Sequence, residues 1–244
     1  GGGVFGLYWS DNSARNRAKS LTTGAGEHNF LSWMKIAEDD TVTLFSPHID
    51  FGQGTHTALG QMLADELDAD WSKLKVVQAP SDIAFANTAL VQSFLGEMSG
   101  HPGVIGALPA AIVGMLSRSM NIQITGGSSA VRFTGQGGMR VIGAAVRLAL
   151  IEEAADRLGV SASELTTADS KVTHAASGRS LRYGELAAGA AGRSLSSAPT
   201  LKSRKDYKLI GKPVVRLDIP SKVDGSAVYG IDFTLPDMRV ATIA

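Results

Sequence analysis

Thr41-Val42-Thr43-Leu44-Phe45-Ser46-Pro47-His48-Ile49-Asp50-Phe51-Gly52-Gln53-Gly54-Thr55-His56-Thr57-Ala58-Leu59 is the stretch from which the rest of the chain can be read. Its first six residues are β-branched and alternating, the signal of a strand. A turn runs from Pro47 to Gly54, and a helix over about residues 55–67 then places Leu59, Met62, Leu63 and Leu67 on one face. Lys73-Leu74-Lys75-Val76-Val77-Gln78 reads as a second strand. The result is a β–loop–α–β unit with a glycine turn between the first strand and its helix.

Gly52-Gln53-Gly54-Thr55 is the best-placed motif for chemistry. Glycines let a backbone approach a ligand closely, and a helix N-terminus offers N–H groups and a positive dipole end. The Gln53 amide both donates and accepts, which suits the edge of a heterocycle. An ordinary glycine turn with Thr55 as N-cap reads the same residues equally well. The stretch is no P-loop, since no Gly-Lys-Ser/Thr follows, and Gly60 stands too far beyond Gly54 for a dinucleotide fingerprint.

Downstream, residues 81–120 read as a long connection that is helical over 110–119. Ile122 to Thr125 reads as a short strand entering Gly126-Gly127-Ser128-Ser129, a small loop able to present N–H and O–H donors to a phosphate. Gly135-Gln136-Gly137-Gly138 forms a third Gly-rich loop before a helix over about 139–158, with Gly159 at C′. Three such loops favour a polar, phosphate-bearing cofactor, although a Gly-rich chain has many glycine loops. Ser161 and Glu164 have capping-box spacing, 171–174 and 179–182 pair as a hairpin, and a short helix covers 184–191. Residues 192–223 read as an extended basic arm, more suited to lying over another domain than to folding alone. The stretch 226–244 suggests two short strands around Leu235-Pro236-Asp237.

The composition narrows the class. The 244 residues balance 23 Lys+Arg against 23 Asp+Glu, with 44% hydrophobic residues, 28 Gly and no Cys. That is too apolar for a disordered chain. It leaves no thiolate for a disulfide, a zinc site or an iron–sulfur cluster. No basic excess points to nucleic acid. The neutrality hides unlike parts: residues 27–100 carry 11 acids and 3 bases, whereas 202–222 carry seven bases and two acids. Such a split means internal complementarity or a partner surface.

Several constellations fail. Ser32-Trp33-Met34-Lys35 and Ser10-Asp11-Asn12 stand in the wrong order for a β-lactamase, and the five His show no helical ligand spacing, so no metal or catalytic residue is assigned. Asp65, Glu66, Asp68 and Asp70 read as a solvated helix end. The apolar start, Gly1 to Trp9, reads as a flexible terminus or as the end of an export signal or membrane anchor. The apolar run from Met238 to Ala244 looks like a strand cut in the middle, as in a fragment of something longer.

Residues 40–80, through Pro47 to Leu59 and Leu63 to Trp71, resemble the xanthine dehydrogenase/aldehyde oxidase family, in particular the molybdopterin-binding large subunit of the isoquinoline 1-oxidoreductase and bacterial membrane-bound aldehyde dehydrogenase type. Three later stretches are similar in the same order: 124–132, 178–187, and 209–227 from Leu209-Ile210-Gly211-Lys212-Pro213 to Gly225-Ser226-Ala227. The resemblance implies an α+β molybdopterin-binding segment over 27–192, a tail over 1–26, a linker arm over 193–225 and the start of a hammerhead-like domain over 226–244.

It implies a molybdenum hydroxylase that inserts water-derived oxygen into an aldehyde or N-heterocycle. The cofactor would be molybdopterin cytosine dinucleotide. Electrons would leave through 2Fe–2S clusters on a small subunit, then through the haem of a cytochrome c subunit, in the periplasm and with an inner-membrane tether as an option. Gly52, Gln53, Gly54 and Thr55 would lie against the pterin, and Gly126, Gly127, Ser128 and Ser129 would hold the phosphate part. The family's catalytic Glu sits in a Gly-x-Gly-Glu stretch that this sequence lacks, so the base is expected in the remainder of the large subunit. Residues 133–138 also differ from the bulkier sequence of the family. The contrasting reading is a cofactor-free interaction segment of a larger complex.

Overall fold

The computed structural model describes residues 12–92 and 110–242. The run Gly1 to Trp9, residues 93–109 of the 81–120 connection and the last two residues lie outside the described residues. Two sheets share the described chain. The first has the order β1-β2-β3-β4, with β1 Glu27–Phe30, β2 Met34–Ala37, β3 Val42–Ser46 and β4 Leu74–Gln78. The pairs β1/β2 and β2/β3 are antiparallel, and β3/β4 is parallel with Val42 opposite Leu74 and Ser46 opposite Gln78. A parallel pair needs a crossover, and α2, Thr55–Leu67, is part of it. The β–loop–α–β unit is therefore present with the expected helix bounds.

The second sheet is β5-β6-β7, Leu165–Ala168, Lys171–His174 and Arg179–Arg182, antiparallel throughout. The expected hairpin is its β6/β7 half, turned at Gly178 with φ 69°. The expected capping box is made, as Ser161 N–H donates to Glu164 Oε2 at 2.9 Å. Asp40 ties the two sheets. Its carboxylate accepts from Gly184 N–H at 2.9 Å and pairs with Lys73 at 3.1 Å and Arg182 at 3.0 Å.

Three expectations are corrected. Residues 12–22 form helix α1, whereas the sequence reads there as the polar end of a tail. Ile122 to Thr125 is not a strand. It is held by two backbone bonds, Asn87 N–H to Ile122 O at 2.7 Å and Ile122 N–H to Ser117 O at 2.9 Å, and by the Gln123 amide on Pro80 O and Asp82 O, so no ladder forms. Residues 226–242 contain no strand, and Val228, Ile231, Phe233 and Val240 remain exposed.

The long helix also starts earlier than expected. Helix α3, Ala110–Ser119, is followed by α4, Ser128–Thr134, a π-helical segment at Gly135–Met139, and α5, Arg140–Leu158, with 128 to 158 continuous. The expected loop at Gly135–Gly138 is that π segment. The packing there is close, since a Cβ on Gly135 would displace the flexible end of Met62 of α2. Further along, a Cβ on Gly143 would lie 2.6 Å from Leu63 O. So α5 crosses α2 at backbone distance, and Leu59, Leu63, Leu67, Met139, Ile142, Val146 and Leu150 share one core. Helix α6, Tyr183–Ala190, closes it, with the buried Tyr183 hydroxyl donating to Leu67 O at 2.6 Å.

The acidic end of α2 is not solvated. Asp65, Glu66 and Asp68 are all buried. Glu66 pairs with Arg140 at 2.6 Å, and Asp68 pairs with Lys202 and Lys208, each at 2.8 Å. Asp65 accepts from the N–H groups of Lys208, Leu209 and Ile210 at 2.8–3.1 Å. The basic arm thus lies on this chain's own α2, where its cations neutralise carboxylates that oppose the helix dipole. Burial works to raise the Asp68 pKa, but the hydrogen bonds from Lys202, Lys208 and Thr167 outweigh it and hold the carboxyl below its usual range.

Candidate functional site

The loop after β3 carries Gly52 at φ 111° and Gly54 at φ 79°, conformations that favour glycine. Gly54 is the N-cap of α2 and offers no side-chain bond, so Thr55 is the first helical residue rather than the cap. The capping role falls to Asp50. Its carboxylate accepts from Gly52 N–H at 3.0 Å, Gly54 N–H at 3.3 Å and His56 N–H at 3.1 Å. The N–H groups expected to meet a ligand anion at this helix therefore hold an internal anion. Burial works to raise the Asp50 pKa, but those three N–H groups and His56 hold the carboxyl below its usual range. Arg216 of the arm completes the arrangement, donating to Gly52 O at 2.8 Å and standing 3.6 Å from Asp50.

Gln53 joins the two loops singled out in the sequence. Its Oε1 accepts from Phe51 N–H at 2.7 Å, and its Nε2 donates to Ile49 O at 2.8 Å and to Gly126 O at 3.3 Å. Thr125 Oγ1 adds a bond to Ile49 O at 3.0 Å. Gly52 to Thr55 and Gly126 to Ser129, more than 70 residues apart in sequence, thus stand side by side. Gly126 precedes the N-cap, Gly127, which makes no side-chain cap bond; Ser128 and Ser129 begin α4. Around the junction, Ile49, Phe51 and Ile124 are exposed.

Beneath the loops lies a buried polar cluster that sequence reading did not single out. Thr134 Oγ1 is 2.8 Å from His48 Nε2 and accepts from Asn87 Nδ2 at 2.9 Å. His56 Nε2 reaches His48 O at 3.0 Å. Burial, with His56 adding to it, lowers the His48 pKa from 6.5 to about 4, so the ring is neutral near pH 7. The cluster pins the end of β3, the segment at Asn87 and the last turn of α4 together. The signal was present only as a Pro-His pair after a strand, and its partners lie 39 and 86 residues away.

The residues present fit a flat, phosphate-bearing group. A Cβ built on Gly52 or on Gly127 meets no atom within 4 Å, so the backbone at both loops faces open space. Thr55 Oγ1 is buried with no hydrogen-bond partner among the described residues. Among the described residues the N-cap Gly127 gives the 128–158 helix no side-chain bond, whereas Asp50 caps α2.

Residues 14–101 match the family model of the molybdopterin cofactor-binding domain, a range that contains Gly52 to Thr55. Over 86% of its length the chain is 32% identical to the beta subunit of the isoquinoline 1-oxidoreductase of Brevundimonas diminuta. The stretch 14–101 belongs to the molybdopterin cofactor-binding domain family. It is also similar to the membrane-bound aldehyde dehydrogenase (pyrroloquinoline-quinone) of Gluconacetobacter polyoxogenes, 29% identical over 88% of the chain, and to a nicotinate dehydrogenase subunit of Pseudomonas putida, 27% identical over 91%. The chain spans 28%, 24% and 16% of these three relatives. The α+β class expected from sequence is the observed one.

Proposed function

We propose that the junction of the two glycine loops holds the molybdopterin cofactor of an oxidoreductase, with the phosphate part at Gly126 to Ser129 and the pterin against Gly52 to Thr55. The observation that carries this reading is the Gln53 amide, which bridges Ile49 O and Gly126 O and so makes one surface of two loops. When bound, the group supplies metal-centred oxidation chemistry. The chain's own residues bind and orient. The N–H groups at the start of α4 receive phosphate oxygens. The open backbone at Gly52 admits a flat ring, and Thr55 Oγ1 finds its missing partner. Asp50 keeps anions off the start of α2, which directs the phosphate to the other loop.

The fuller reading, extended from the relatives, is a molybdenum hydroxylase acting on an aldehyde or N-heterocycle. Its cofactor would be of the cytosine dinucleotide form, and its electrons would pass to 2Fe–2S and haem partners in the periplasm. No residue here is assigned as the catalytic base. The test is Gln53→Ala in the intact protein. Loss of the bridge lowers molybdenum per polypeptide several-fold, while the thermal midpoint moves by only a few degrees, as for the loss of about 1 kcal/mol. Wild-type molybdenum content in this variant would overturn the assignment and favour a cofactor-free interaction segment.

A further inference from the structure

The arm follows α2 from one end to the other. Thr57, Gln61, Asp65 and the C-cap Asp68 stand three or four residues apart and so form one stripe along the helix. The arm meets this stripe in reverse order. After Lys202 and Lys208 on Asp68 and the three N–H groups on Asp65, the Gln61 amide donates to Leu209 O at 3.0 Å and Lys212 O at 3.1 Å. Leu217 N–H then donates to Thr57 Oγ1 at 3.0 Å. The track ends at the glycine loop, where Arg216 meets Gly52 O at 2.8 Å.

Arg216 arrives there as a fixed fork. Its Nε and Nη2 donate to the Asp218 carboxylate at 2.9 and 2.7 Å, which leaves Nη1 for Gly52. Leu217 beside it packs towards Gly60, 3.7 Å from where a Cβ on that glycine would stand. A planar guanidinium pinned along one edge loses little freedom in making a further bond.

That further bond holds a peptide with little else to orient it. Gly52 has φ 111°, and a Cβ built on it meets no atom within 4 Å, so no side-chain packing resists a turn of its carbonyl. Arg216 is the one hydrogen-bond partner of Gly52 O among the described residues. In a trans peptide the C=O and the next N–H point in opposite directions. The grip on Gly52 O therefore also sets the direction of Gln53 N–H, which has no acceptor among the described residues. We infer that Arg216 is a positioning residue of the cofactor site, holding the peptide between Gly52 and Gln53 in the orientation in which the loop receives its ligand. The inference rests on the reading of the two glycine loops as the molybdopterin site.

The test measures amide hydrogen exchange and molybdenum content of the intact protein in wild type, Arg216→Gln and Arg216→Lys. In Arg216→Gln the N–H groups of residues 52–56 are expected to exchange about tenfold faster, as for the loss of one charge-assisted bond. Those of Lys208, Leu209 and Ile210 keep their wild-type rates, because Asp65 still holds the arm. Molybdenum per polypeptide falls several-fold. Arg216→Lys, which keeps a charged donor for Gly52 O, restores most of both. Asp218→Asn, which releases the fork, acts in the same direction and carries the test should Arg216→Gln not fold. Wild-type exchange at the loop, wild-type molybdenum content, or no recovery in Arg216→Lys would overturn this inference alone. A wild-type protein without molybdenum would overturn the reading of the site, and this inference with it, whatever the exchange rates.

Discussion

His48 illustrates what burial does to one side chain. Its ring is fully buried and its folded-state pKa of about 4 lies below the ordinary 6.5. The native state therefore binds fewer protons than the unfolded chain between these values. The stability contributed is complete above pH 6.5 and is lost as pH falls towards 4, by about 3 kcal/mol for a shift of this size. The depressed carboxylates, Asp50 and Asp68 among them, act below that window, since their ordinary value is already 3.8. Urea unfolding followed from pH 7 to pH 4.5 is expected to show the loss. His48→Gln, which keeps a polar partner for Thr134, flattens it. An unchanged pH slope in the variant would place the titration elsewhere.

At the scale of elements, legibility followed locality. The strand 42–46, the helix 55–67 and the strand 74–78 were readable because alternation, amphipathic spacing and a glycine turn agree within 40 residues. The β1/β2 hairpin was not. It has four-residue strands, the polar Glu27-His28-Asn29 in β1, and a turn built on Leu31 at φ 59° without glycine or proline. The π segment at 135–139 read as a loop because its glycines have low helix propensity, while Gly135 packs on Met62 of α2 and Gly138 on Ala89. The carboxylates of α2 read as solvated because Arg140 and Lys202 stand 74 and 136 residues from Glu66.

That last pairing predicts how the arm is held. Asp65→Ala leaves the N–H groups of Lys208, Leu209 and Ile210 without their carboxylate, while Lys202 keeps Asp68, at a cost of about 1–3 kcal/mol for buried donors left unpaired. Limited proteolysis of this variant is expected to cut within 193–225 much faster than in wild type. Equal cleavage rates and an equal urea midpoint would show that Asp65 does not clamp the arm.

For the whole molecule, the neutral charge resolves into an acidic helix end and a basic arm that neutralise each other. Of the site, two separate glycine loops were legible in the sequence; their adjacency depends on Gln53 and Thr125 reaching across the fold and could not be read from spacing. Among the described residues no helix is long and apolar enough to cross a membrane. With no cysteine in the chain, any iron–sulfur relay serving this site must use residues from elsewhere. The central claim is that this junction holds a molybdopterin dinucleotide. It is tested most directly by metal analysis of the purified intact protein, with chromatography of the nucleotide released by acid. The account predicts molybdenum and a cytosine nucleotide in equal amounts, both lost together in Gln53→Ala; protein that carries neither would contradict it.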